Sequence, residues 1–306
     1  MNVQIFSKIR NFFLKKYILI LNDNGLGDYF LVRNYFKYIK QCEKYKNHKV
    51  IFLAKPDRID CLKKFDKKYI DKIIRFNTKL FESNKNHREK KLKQLCKYNI
   101  TDIINIGVAD SKYDSDPFST ITLCKNFPAA NKIEHIIEPE DKKSFEKYTH
   151  STKIICTPNK DIYEFERNRL FFEQLLEIEI PKIKLPEIEI KRNKTNNLTV
   201  IAPFKRNGTV IWDNEKWGKL LNELLSINSD FNFIILGSKY DVKNAQKIEK
   251  EILEKNKIKN LAGKTRSYHL PYIIASAEYL ISAETSTVHI ASAVGTQTIC
   301  ISNGGF

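Results

Sequence analysis

The strongest constraint on the fold lies in residues 260–301, NLAGKTRSYHLPYIIASAEYLISAETSTVHIASAVGTQTICI, which read as loop, helix, strand, tight turn, helix and strand. Leu270, Ile273, Ile274 and Ala277 recur at helical spacing behind Ser267, a fitting N-cap, and Pro271 falls in the first turn, where its missing N–H costs least. Tyr279 to Ser282 is a short apolar strand, and Ala283 to Ser286 turn the chain into a second helix beginning near Thr287. Ala291, Ser292 and Ala293 are small enough to let that helix lie close on a sheet. Gly295 is expected to end it in the left-handed region, with Thr298 to Ile301 as the next strand. A strand feeding a hydroxyl-rich turn and a helix N-terminus aims free N–H groups and a positive dipole end at one point, which makes an anion site. An ordinary capped helix has the same composition, so the pattern alone leaves both readings open.

The same alternation runs through the rest of the chain. Tyr17 to Leu21 is a continuous apolar strand, followed by Asp23-Asn24-Gly25-Leu26-Gly27-Asp28 and a helix expected from about Tyr29 to Lys40. Gly25-x-Gly27 lacks the third glycine of a dinucleotide fingerprint. Strands are expected at 49–53, 72–76 and 102–106, separated by charged helical segments around 57–67 and 87–98. Residues 107–131 read as irregular. A helix is expected within 162–180, then a polar, proline-bearing linker over 181–197, KRNKTNN included. Leu198 to Ala202 starts a second α/β unit, Phe231 to Leu236 is its next strand, and Gly237-Ser238-Lys239-Tyr240-Asp241 leads into a helix over 242–254. The 306 residues suffice for two domains. Repeated strand–helix units imply parallel sheets, so the fold class is α/β with two Rossmann-like domains.

Charge narrows the partners. Lys plus Arg number 53 and Asp plus Glu 36, a formal net charge of +17. Such a balance suits nucleic acid, an anionic membrane face or phosphorylated substrates. The lysines are spread along the whole chain, so part of the excess is compositional. No zinc-finger, helix-turn-helix or RNA-recognition signature accompanies them, which argues against nucleic acid. The six cysteines show no C-x-x-C pair and no metal spacing, and read as reduced thiols of a cytosolic protein, with no metal site expected. No run reaches transmembrane length. In residues 1–16, Ile5, Ile9, Phe12 and Phe13 share one helical face bordered by Lys8, Arg10, Lys15 and Lys16. That suits a basic amphipathic helix on an anionic bilayer, or equally a helix packed on the first domain or a frayed extension.

The motifs in this order resemble the ADP-heptose:lipopolysaccharide heptosyltransferases, glycosyltransferase family nine, as a divergent member. That family reads N-L-A-G-K-T, then a helix and a strand, then D-T-G-x-x-H-x-A-x-A-x-G-x-P. Here the frame is Asn260 to Thr265, then Glu284-Thr285-Ser286-Thr287-Val288-His289-Ile290-Ala291 and Gly295. Glu284 replaces the usual Asp, Ser286 the usual Gly and Gln297 the usual Pro. Gly27-Asp28 matches the Gly-Asp pair that follows the family's first strand. Glu164 to Asn168 resembles its E-x-x-R-N helix, and Trp212 and Trp217 its K-x-W-P segment, with Val210 where the family has lysine.

The resemblance implies the GT-B architecture, two Rossmann-like domains facing a cleft. It implies residues 1–180 as the acceptor domain, 181–197 as linker and 198–306 as the nucleotide-sugar domain. It implies transfer of heptose from an ADP-sugar to a lipid-linked lipopolysaccharide core acceptor with inversion, no cofactor and no obligatory metal, at the cytoplasmic face of the inner membrane. Asp28 would be the catalytic base, with Gly25 and Gly27 in the acceptor-side loop. Lys205, Arg206, Lys264, Thr265 and the Glu284–His289 turn would hold the diphosphate, and Asp241 the ribose. Asp110, Lys112, Tyr113 and Asp116 are candidates for the acceptor pocket. Asp28 and Asp241 also read as plain helix N-terminal residues, and His289 as a turn cap. A helix N-terminus depresses a carboxylate pKa and weakens it as a base; late proton transfer in an oxocarbenium-like transition state eases that tension. A relative moving another sugar to a different surface glycan, or a non-catalytic nucleotide-binding relative, fits the same motifs. Family members continue with a further helical segment, so more chain is expected after Phe306.

Overall fold

The structure, a computed structural model, describes residues 15–109, 118–129, 131–138, 150–158, 162–205 and 212–302. The chain forms two compact units: residues 1–24 with 32–182, and residues 25–31 with 183–306. Each is built on a parallel sheet. The segment predicted as amphipathic lies almost wholly outside the described residues, as do Asp110, Lys112, Tyr113, Asp116, Arg206 and Val210. Among the described residues no helix is long and apolar enough to cross a membrane.

The first unit carries six strands: β1 (Lys16–Leu21), β2 (His48–Ala54), β3 (Lys72–Arg75), β4 (Asn99–Ala109), β5 (Asn131–Ile137) and β6 (Lys153–Thr157). Their spatial order is β3-β2-β1-β4-β5-β6, all neighbours parallel. Ile18 to Leu21 and Val50 to Ala54 are buried without alternation, as expected of strands covered on both faces. Leu19, Leu21, Ile51, Leu53 and Ile103 share one core with Phe76, Phe81, Leu95, Leu123 and Phe127. Helices α1 (Leu26–Val32) and α2 (Phe36–Gln41) follow β1 and are joined by a 3-10 turn at Arg33–Tyr35. There Arg33 turns inward and pairs with buried Asp66 at 2.8 Å. The segment expected as one helix from Tyr29 is therefore two, and it starts three residues earlier.

Between β3 and β4 run α3 (Thr78–Ser83) and α4 (Lys85–Leu95), capped by Asn77 and Asn84, whose side chains accept from Leu80 and His87 N–H groups. Residues 107–131, expected to be irregular, include α5 (Phe118–Asn126). The expectations also lacked β5 and β6. The reason for β5 is visible in its side chains: Glu134 and His135 break the apolar pattern, yet both are fully buried, with Asn105 and Thr157 as tertiary hydrogen-bond partners. The helix expected within 162–180 is α6 (Glu164–Leu176), whose Phe165 backbone oxygen accepts from the buried Tyr35 hydroxyl at 2.8 Å.

The second unit has strands β7 (Leu198–Ala202), β8 (Asn232–Ile235), β9 (Ile258–Asn260), β10 (Tyr279–Ala283) and β11 (Gln297–Ile301), in parallel order β11-β10-β7-β8-β9. Helices α7 (Asn214–Ile227), α8 (Val242–Glu251), α9 (Leu270–Ser276) and α10 (Ser286–Val294) connect them. Trp217 is fully buried among Leu221, Phe233, Ile248 and Ile281, with Trp212 edge-on at 5.4 Å. Ser267 opens a 3-10 turn rather than capping α9, whose N-cap position is His269. Gly295 ends α10 at φ 68°, where its N–H and that of Thr296 reach the carbonyls of Ser292 and Ala291. Residues 181–197 hold no helix or strand. From Ile183 on they belong to this unit, pinned by Ile188 N–H to Ala293 O at 3.1 Å and Thr195 N–H to Ser276 O at 2.8 Å.

Candidate functional site

Strand order locates the site. In the second sheet β7 comes first in the chain, β8 and β9 extend it one way, and β10 and β11 the other. The order therefore reverses between β7 and β10, and ligands of open α/β sheets bind at the carboxyl ends of strands at such a point. Lys205 follows β7 and Glu284 follows β10, and the structure joins them: Lys205 Nζ lies 3.4 Å from Glu284 Oε2, both part-exposed. A pair this accessible is worth about 0–1 kcal/mol, so little opposes Lys205 turning to an anion.

The turn after Glu284 leads into the N-terminus of α10. Thr285 holds the N-cap position in an extended conformation, but its side chain makes no cap bond to the helix. The first N–H groups of α10 lack intrahelical partners by geometry, so the positive end stays open to a ligand. Ser286 and Thr285 are half-buried at this end. Thr287, expected to bind the nucleotide, is buried, and its Oγ1 lies 2.8 Å from Ser282 Oγ. Its side chain fastens the turn to β10. Ser282 also donates to the Ala283 carbonyl at 2.6 Å. No sequence signal marked it, because a serine in a short strand looks incidental until Thr287 is folded over it.

The loop after β1 reaches the same place. Residues 25–31 belong to the second unit, although they follow the first strand of the chain. A Cβ on Gly27 would stand 2.7 Å from His289 Cδ2 and 3.4 Å from Ser286 Cα, so only glycine lets the loop lie this close to α10. Asp28 is half-buried, and its Oδ2 accepts the Gly25 N–H at 2.5 Å, closing the first turn of α1. Asp28 is thus a helix N-terminal residue, but this role engages one carboxylate oxygen; Oδ1 makes no hydrogen bond among the described residues. Burial pushes the His289 imidazole below its ordinary value, with Asp28 and then Glu284 pulling it back up. His289 therefore sits neutral at neutral pH, flanked by two carboxylates.

Arg58, nearly buried, donates to the Asn22 carbonyl at 3.0 Å and to the Asn24 carbonyl, holding the residues that lead into Gly25. Its partners lie more than thirty positions away in sequence, so nothing local announced it. The remaining expected residues stand apart in their bonding. Lys264 Nζ donates to the Asn260 carbonyl of its own turn at 3.0 Å, and Thr265 is half-buried beside it. Asp241 is 4% exposed and accepts from both the N–H and the hydroxyl of Ser238 at 2.6 Å. That bonding closes the turn ahead of α8 through Oδ2, while Oδ1 is buried without a hydrogen bond among the described residues.

Residues 151–302 match the family model of glycosyltransferase family 9 (heptosyltransferase). The chain carries a family 9 glycosyltransferase domain. Similar solved structures agree on the fold. Escherichia coli ADP-heptose lps heptosyltransferase II has a TM-score of 0.67 at 12% identity, over 93% of this chain and 84% of that one. The family 9 glycosyl transferase from Veillonella parvula scores 0.69 at 13% identity, over 94% and 80%. Escherichia coli heptosyltransferase WaaC with ADP-2-deoxy-2-fluoro heptose scores 0.69 at 14% identity, over 93% and 88%. At these identities the likeness establishes the fold, two Rossmann-like units of the GT-B class. No curated protein sequence matches the chain. The matched domain is that of a glycosyltransferase.

Proposed function

We propose that this family 9 glycosyltransferase is an inverting enzyme that moves a heptose from an ADP-sugar to a lipopolysaccharide or lipooligosaccharide core acceptor. One observation carries the reading: the loop of Gly27 and Asp28 is packed on the α10 N-terminus, so a free carboxylate oxygen and an open anion cradle belong to one compact unit. The acceptor hydroxyl oxygen forms a bond to the anomeric carbon on the face opposite the diphosphate. The bond from that carbon to the β-phosphate oxygen breaks, and ADP leaves with the electron pair. Asp28 Oδ1 takes the hydroxyl proton. The α10 N–H groups, Lys205 and the Ser286 hydroxyl offset the charge that develops on the departing diphosphate. Lys264, Thr265 and Arg206 add to the donor site on the strength of the family motif. Neutral His289 donates or accepts one hydrogen bond to the sugar or phosphate.

The test is Asp28→Asn. It should leave ADP-sugar binding intact and lower transfer on the order of a hundredfold or more. Wild-type turnover by this variant would remove Asp28 from the mechanism. A second reading keeps the cradle and changes the sugar, because Glu284 and Ser286 stand where the family has Asp and Gly and both border the donor site. A thermal-shift panel of nucleotide sugars separates the two readings: stabilisation by ADP-heptose above other donors supports the first. Residues 1–16 complete the proposal as a basic segment holding the enzyme to an anionic inner leaflet near its lipid-linked acceptor. Their deletion should weaken binding to acidic vesicles while sparing activity on a soluble acceptor.

A further inference from the structure

Cys124 on α5, Glu134 on β5 and His150 ahead of β6 converge inside the first unit. One ligand atom from each lies within 4.8 Å of the others. Cys124 Sγ is 3.8 Å and His150 Nε2 3.6 Å from the same oxygen, Glu134 Oε1. The cysteine and glutamate are fully buried, and the histidine side chain is 4% exposed. These residues play no part in the transfer chemistry above, which belongs to the second unit.

The difficulty is the glutamate. A buried carboxylate has to be paired with a cation or bound to a metal. Among the described residues Glu134 meets no lysine or arginine. Its partners are the Asn105 amide, which donates to Oε2 at 2.7 Å, the Cys124 thiol and His150. The spacing fits a metal. Tetrahedral zinc with bonds of about 2.3 Å to sulfur and 2.0–2.1 Å to nitrogen and oxygen sets ligand atoms about 3.3–3.6 Å apart. The two separations from Glu134 Oε1 exceed that by a few tenths of an ångström, a gap closed by small side-chain rotations. Thiolate, imidazole and carboxylate together suit zinc over magnesium or calcium, which take oxygen ligands. A thiolate and a carboxylate carry two negative charges, and a divalent ion makes the buried site neutral. Asn105, bonded to the carboxylate oxygen that faces away, is placed as the outer partner that orients a metal-bound carboxylate.

We propose that Cys124, Glu134 and His150 form a zinc site in the first unit, with a water as fourth ligand. It would fasten α5, β5 and the start of β6 to one another. It takes no part in sugar transfer, so its test stands apart from activity. The probe is Co2+ titrated into the reduced, metal-stripped full-length chain carrying Cys96→Ser and Cys300→Ser, which removes both exposed thiols. The expected result is saturation at one ion per chain with a thiolate-to-cobalt charge-transfer band, and displacement of that band by Zn2+. Cys124→Ser should abolish the band. His150→Ala should weaken Co2+ binding at least tenfold, and Asn105→Ala should do so by roughly 10–100-fold. Far-ultraviolet dichroism establishes that each variant is folded. If Cys124→Ser does not fold, His150→Ala, on a turn, carries the test. A folded parent with no thiolate band, or equal Co2+ affinity without His150, would overturn the site and leave a hydrogen-bonded thiol–carboxyl–imidazole cluster.

Discussion

Gly27→Ala is the sharpest perturbation of the proposed site. The added Cβ would stand 2.7 Å from His289 Cδ2, against an ordinary contact of at least 3.4 Å, so 3.4 − 2.7 = 0.7 Å must be found by moving the imidazole or α1. Overpacking of this kind costs about 1–3 kcal/mol. Gly27 is in the first turn of a helix, where alanine returns about 0.5–1 kcal/mol. The net destabilisation is then roughly 0–2.5 kcal/mol by the same two estimates. Catalysis should suffer far more, because a misplacement approaching 1 Å at the reacting groups costs about 100-fold. Thermal unfolding and steady-state transfer, measured on the same preparation, separate the two effects: a small fall in Tm beside a large fall in kcat. His289→Ala added to Gly27→Ala removes the ring that the new methyl meets. The double mutant should regain stability relative to the sum of the singles by more than about 0.5 kcal/mol. Wild-type Tm and turnover in Gly27→Ala would refute the packing of this loop on α10.

Ser286→Val should weaken ADP and ADP-sugar binding together by roughly 1–3 kcal/mol, through a lost or blocked phosphate hydrogen bond. Ser286→Gly should cost little because the backbone donors remain; calorimetric titration that finds equal ADP affinity in Ser286→Val would move the phosphate elsewhere. His289 has a folded pKa depressed by burial, so its stabilising effect is complete above its ordinary value of 6.5 and is lost as pH falls toward the folded value. Between pH of about 7 and 5, Tm should therefore fall more steeply in the wild type than in His289→Gln, and parallel profiles would contradict this. Arg33→Ala removes the 2.8 Å ion pair of fully buried Asp66 and should destabilise the first unit by about 3–5 kcal/mol in urea unfolding. Trp217→Ala should cost a similar amount, about 3–5 kcal/mol, in the second unit, where the indole is fully buried.

The sequence by itself determined the strand–turn–helix periodicity and the residues placed at the ends of strands. Ile18 to Leu21 and Leu198 to Ala202 are continuous apolar runs, which parallel strands covered on both faces require. Gly295 had to close a helix, since its φ of 68° is open to glycine at no steric cost. The placement of Lys205, Glu284 and Ser286 just beyond β7 and β10 was legible from short-range order, a strand then a hydroxyl-rich turn then a helix. What lay beyond reach were contacts between distant segments. Asp241 and Thr287 had the right residue types for ligand contacts, but that Asp241 Oδ2 accepts from Ser238 and that Thr287 Oγ1 meets Ser282 shows only once the chain is folded. The strand β5 looked too polar, because the burial of Glu134 and His135 depends on partners that local periodicity does not see. Cys124, Glu134 and His150 have no metal-like spacing along the chain and become neighbours only through the β4-β5-β6 pairing. The membership of residues 25–31 in the second unit was likewise a tertiary decision. A seven-residue helix holds no preference for its own sheet that packing elsewhere cannot outweigh, and Gly27 against His289 supplies that packing.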